Sequence, residues 1–289
     1  MTATPSPLVS TIRRILMFPL MRIALLGGVL FVGMGISNGL MDTYQDSTPT
    51  ALALVLLMVV LALAVYWVFV RVIENRPVTE LSTAGAGGEF GLGLLLGFGL
   101  YSTTILVLFL LGYYRVEGMN SVTVMLPFIP LAISSAFLEE LIYRGVLFRV
   151  AEEYLGSFIA LIATSAFFGA RHLGNPDATI IGAIFVALEA GLLLAAAYML
   201  TRRLWLSIGL HMSWNFAQAA IYSGAVSGVE MPPGLLQAVV EGPELMTGGT
   251  FGVEASIIAC LLCTAAGVVL VLMAARQGLI LSPIWAKRG

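Results

Sequence analysis

Residues 50–71 read TALALVLLMVVLALAVYWVFVR, and this stretch decides the fold. From Ala51 to Val70 it contains no charged side chain. An uncharged apolar run of this length exceeds the roughly 18 residues that mark a bilayer crossing. In lipid every backbone N–H and C=O must be satisfied within its own segment, so the run is a helix. Working outward, comparable apolar segments fall at 23–41, 90–112, 121–143 (or, in an alternative frame, 130–154), 156–173, 179–200, 204–222 and 255–275. The composition agrees. Of 289 residues, 59% are hydrophobic and 10% are charged, with mean hydropathy +0.99, whereas soluble domains carry about a quarter charged residues. The expected fold is all-α: a polytopic transmembrane bundle of about eight helices, forming one integral membrane domain over residues 1–289.

The charges orient the bundle. Arg13, Arg14, Arg71, Arg76, Arg144, Arg149, Arg202, Arg203, Arg276, Lys287 and Arg288 fall on one set of alternate connections, and Arg115 and Arg171 on the other. The connections 42–49 and 223–254 carry acids and no Lys or Arg. Basic connections stay cytoplasmic, which places both termini in the cytoplasm. Arg13 and Arg14 precede an apolar run too long for a cleaved signal, so it is read as a retained first helix. Pro19 and Arg22 suggest that residues 8–21 lie along the interface before it.

Other features are bland. Cys260 and Cys263 form a CxxC within an apolar run, without the βαβ context or further ligands of a redox or metal site. They read as two small apolar residues on one helix face. The stretch 82–91, STAGAGGEFG, reads as a flexible connection. Gly93 and Gly97 form a GxxxG that permits close helix approach. There is no internal repeat, and the basic count is far too low for a nucleic-acid surface.

Ionisable residues inside spans are costly, and each is by default a functional candidate. They concentrate in the fourth to seventh segments. The fourth contains Glu139-Glu140-Leu-Ile-Tyr-Arg144, and the chain's two histidines, His172 and His211, lie in or at the end of spans. Glu140 and Arg144 are four apart and can neutralise each other. Glu139, rotated about 100° away, has no such partner. Phe168 and His172 are four apart, as are His211 and Asn215. If Leu155 and Gly156 form a helical hairpin turn, Glu139 and His172 come to the same depth. His211 fits less well, roughly 20 Å lower at 1.5 Å per residue. A structural polar knot and a proton path remain alternatives, but the group taken together favours a catalytic site.

At these residues the sequence resembles the CPBP family, which includes CAAX prenyl endopeptidases of the Rce1 type and bacterial relatives. The family pattern EExxxR, FxxxH, HxxxN matches Glu139-Glu140…Arg144, Phe168…His172 and His211…Asn215, across a motif-bearing core of about residues 120–220. Thr247-Gly-Gly-Thr-Phe-Gly-Val-Glu254 also looks like a loop common in bacterial members. The resemblance implies an intramembrane endopeptidase of a bacterial inner membrane, acting on a membrane-bound or lipidated peptide. It implies that Glu139, helped by His172, activates water, and that His211 and Asn215 donate to the oxyanion. Glu140 and Arg144 would brace the helix, or Glu140 would share base duty, and Phe168 would wall the pocket. No cofactor is the favoured reading, because Asn215 suits an oxyanion donor better than a zinc ligand. Zinc on Glu139, His172 and His211 is the alternative. A proton-coupled transporter and a non-catalytic scaffold or immunity protein are the competing functions. Outside the motifs, Glu189 is expected in an ion pair with Arg144 or Arg149 rather than on substrate. Arg171 reads equally as a substrate-carboxylate contact and as a snorkelling interface residue.

Overall fold

The computed structural model describes Thr11 and residues 14–288. Residues 8–10, 12 and 13 of the expected interfacial segment lie outside the described residues, and nothing is said of the Lys287 and Arg288 side chains. Among the described residues eight longer helical rods follow one another: α1 Pro19–Thr43, α2 Thr48–Ile73, α3 Ala86–Leu110, α4 Val122–Leu155, α5 Ser157–Arg171, α6 Ile180–Thr201, α7 at 205–221 and α8 Ile257–Arg276. All but α5 and α7 are long and apolar enough to cross a bilayer. The rods α5 and α7 are shorter: 15 residues in α5, and in α7 twelve α-helical residues followed by five in a wider, π-type turn. The chain is therefore an all-α polytopic bundle, as its apolar segments lead one to expect.

Among the described residues the helices are accompanied by a two-stranded antiparallel ribbon, β1 Tyr114–Met119 with β2 Leu236–Val240. It pairs Tyr114 with Val240 and Met119 with Leu236, with an irregularity between Val116 and Gly118. Six residues of alternating character are too short a signal to stand out between two spans. The stretch expected to be a flexible connection is also corrected. From Ala86 it is already helix, with Gly85 at φ +79 turning the chain into it and Glu89 paired to Arg203.

The Arg-rich end is locked by ion pairs. Glu74 receives Arg22 at 2.9 Å, Arg76 at 2.7 Å and Arg149 at 2.8 Å, which ties α1, α2 and α4 together. Burial alone would push the Glu74 carboxyl up, but hydrogen bonding to Arg149 and the charges of Arg149, Arg22 and Arg76 outweigh it and hold it below its ordinary value. Nearby, Glu152 takes Arg202 and the Ser157 hydroxyl.

The helices α3 and α7 touch through glycine. A Cβ on Gly93 would overlap the Leu206 carbonyl oxygen, one on Gly97 the Leu210 carbonyl and Ser213 Oγ, and one on Gly209 the Phe90 carbonyl. The GxxxG is thus one half of a backbone-to-backbone contact with the helix that carries His211 and Asn215. Gly97→Ala is expected to cost about 1–3 kcal/mol by overpacking. Gly91→Ala, which meets nothing within 4 Å, leaves stability unchanged. Thermal unfolding of the detergent-solubilised proteins compares the two.

Candidate active site

The helix α4 carries the first candidates. It runs as α-helix from Phe128 to Glu140, then widens into a π-type turn over Leu141–Phe148. Glu140 and Arg144 keep their four-residue spacing across that junction and pair at 2.9 Å, both buried. The Arg144 guanidinium also donates to the carbonyls of Ala190 at 3.0 Å and Gly191 at 3.2 Å. Those carbonyls end a second π-type turn, Ala187–Gly191 in α6. Widened turns leave backbone acceptors free, and a buried cation uses them. The guanidinium lies 4.7 Å from the Phe168 ring centroid.

Phe168 is 2% exposed and is packed between Tyr143 and His172, each ring 4.8 Å away. Its carbonyl is 2.8 Å from His172 Nδ1. A carbonyl only accepts, so Nδ1 carries the hydrogen and Nε2 of the neutral ring keeps its lone pair. The four-residue spacing of Phe168 and His172 thereby sets the tautomer.

His211 is corrected in depth. Its Nδ1 lies 2.9 Å from Glu140 Oε1, so the vertical gap expected from counting residues is closed. That count treated the helices as straight rods with level ends, whereas α4 and α6 contain widened turns and α5 and α7 are short. Glu140 is therefore shared between Arg144 and His211, a role beyond bracing its own helix. One turn further along α7, Asn215 Nδ2 donates to Ser135 Oγ at 3.0 Å. Ser135 was not among the sequence candidates, although it lies four residues before Glu139 and so on the same face.

Glu139, His172, His211 and Asn215 line one cavity of about 370 Å³, together with Ser135, Tyr143 and Arg171. Among the described residues Glu139 has no hydrogen bond or ion pair, and it shares the cavity wall with His172 and Tyr143. Asn38, Met41 and Asp42 at the end of α1, and Val229 and Met231 of the 222–235 connection, complete the wall. The cavity thus adjoins the acidic connections, at the opposite end from the Glu74 ion pairs. Arg171 is exposed there, its guanidinium 5.5 Å from the Phe31 ring centroid.

One expectation changes. Glu189 meets neither arginine: Arg149 is taken by Glu74, Glu80 and Glu153, and Arg144 by Glu140 and backbone. Glu189 instead faces Glu254 and the Cys263 thiol. For the alternative zinc set of Glu139, His172 and His211, no three His, Cys, Asp or Glu side chains are gathered closely enough among the described residues to hold a metal ion.

With this geometry in hand, comparison adds one finding. Residues 120–217 match the model of the Rce1-like family, described as type II CAAX prenyl endopeptidase Rce1-like. No curated protein and no solved structure gives a match.

Proposed function

We propose that the chain, whose residues 120–217 match the Rce1-like family of proteases, is an intramembrane endopeptidase in which Glu139 is the general base. The observation that carries this reading is the convergence of Glu139, His172, His211 and Asn215, from three separate parts of the chain, on one cavity. A water between Glu139 and His172 Nε2 is held by an acceptor on each side. Glu139 takes its proton as the oxygen attacks the peptide carbonyl, then returns it to the departing nitrogen. Asn215 spends one amide hydrogen on Ser135 and keeps the second for the developing oxyanion. The Glu140 contact leaves His211 Nε2 for the cavity, where it adds a second donor when the ring carries both protons.

The substrate in this reading is a membrane-bound or lipidated peptide, because the cavity is enclosed by apolar spans. Incubating purified protein with a panel of lipidated and transmembrane peptides tests it. Wild type is expected to cut at least one, and Glu139→Ala and His172→Ala none. Equal cleavage by all three sinks the reading.

The cavity mouth lies among the acidic connections, while Arg76, Arg202, Arg203 and Arg276 belong to the other end, so the charge rule makes the mouth extracytoplasmic in a bacterial inner membrane. A cysteine at Glu230, which is exposed, is expected to react with an impermeant maleimide on intact cells. One at Gln277, also exposed, reacts only after lysis. The native Cys260 and Cys263 are buried. The reverse pattern overturns the orientation.

A further inference from the structure

Behind the main cavity lies a second, of about 30 Å³, room for about two water molecules. The two cavities share His172, His211, Asn215 and Ser227 in their walls. Beyond those four, the small one is lined by Glu189, Trp214, Glu254 and Cys263 among apolar groups. Glu189 and Glu254 are 2% and 3% exposed, and the motifs that name the site account for neither.

Two polar atoms on this wall stand out. Glu254 faces Trp214, Ser227 and Gln218, yet among the described residues neither Glu254 Oε1 nor Trp214 Nε1 completes a well-formed hydrogen bond. One is an acceptor and the other a donor, and both side chains are more than nine-tenths buried. Their direct contact is poorly formed, so a water beside them that accepts from Trp214 and donates to Glu254 improves both, and a cavity of this size and polarity has room for one. A peptide seated in the 370 Å³ cavity would displace the water there, yet hydrolysis consumes one water per bond cut. We infer that the small cavity is the water store of the site, in which Glu254 and Trp214 hold a molecule that passes between His172, His211 and Asn215 to Glu139 once substrate has closed the front. The inference rests on the hydrolytic reading above. Glu254 is then a positioning residue that acts through water.

The test separates supply of water from binding of substrate. Glu254→Leu is expected to lower kcat by about tenfold, the loss of roughly one hydrogen bond to the water, with KM unchanged. Glu254→Gln, which keeps an acceptor in place, restores kcat to within about threefold of wild type by the same reasoning. If Glu254→Leu fails to fold, Trp214→Phe, which removes the donor while keeping an aromatic ring, carries the measurement. A folded Glu254→Leu or Trp214→Phe with wild-type kcat overturns the inference, as does a loss that falls on KM, or no recovery in Glu254→Gln. A high-resolution map of the wild-type protein gives a readout independent of activity. Water density bridging Glu254 and Trp214 supports the store even if no peptide in the panel is cut, in which case the protease reading is what fails. A dry cavity overturns it.

Discussion

Glu139→Ala is expected to lower kcat by roughly 10²–10⁴ while leaving the fold intact. Both halves follow from the surroundings of one side chain. Glu139 is half-buried, lines the main cavity and makes no hydrogen bond or ion pair among the described residues, so its removal deletes no structural partner and shifts stability by no more than about 0.5 kcal/mol. In the proposed mechanism its carboxylate is nevertheless the acceptor for the water proton. Glu139→Gln keeps the shape and loses the basicity, and is expected to be as inactive as the alanine variant. Single-turnover cleavage measured beside thermal unfolding checks the pair. A Gln variant with more than a tenth of wild-type kcat would remove Glu139 from the role of base.

Glu140, its neighbour, is expected to behave in the opposite way. Glu140→Leu leaves the Arg144 guanidinium buried without its carboxylate, a change that costs about 3–5 kcal/mol. It also removes the acceptor that orients His211. Replacing both members of a buried pair by apolar groups is often close to neutral, so Glu140→Leu with Arg144→Met is expected to recover most of the lost stability. Activity is not expected to return, because the His211 ring has still lost its anchor. Unfolding midpoints in detergent for the single and double variants give the first comparison, and cleavage rates the second. A double variant that is both stable and active would reduce Glu140 to a structural residue.

These two neighbours mark how far the sequence can be read. Helix against connection was legible wherever the apolar run was long, because lipid leaves the backbone no other choice. Contacts within one helix were legible as well: the Glu140–Arg144 pair and the approach of His172 to Phe168 follow from a four-residue spacing. Contacts between helices were not. The depth of His211 depended on widened turns and short rods that hydropathy does not encode, and so the bond to Glu140 was invisible. Glu189 was misassigned for a related reason. Counting charges supplied it with an arginine, but Arg144 is satisfied by Glu140 and by two carbonyls of the widened turn that contains Glu189. Ser135 was within reach of the same spacing argument and was passed over because a lone serine in a span carries no charge to draw attention.

The different anchoring of the two histidines has a consequence for biogenesis. His172 is oriented by its own helix, so its half of the machinery is ready as soon as that segment is inserted. His211 is oriented by a residue 71 positions away in sequence, on a helix that must dock before the ring is fixed. On the proposed mechanism, a nascent chain in the lipid therefore has an oriented His172 but not yet the complete site. Hydrolytic competence would then wait on docking of the His211 helix against Glu140, protecting a newly made molecule, and its neighbours in the bilayer, from premature cutting.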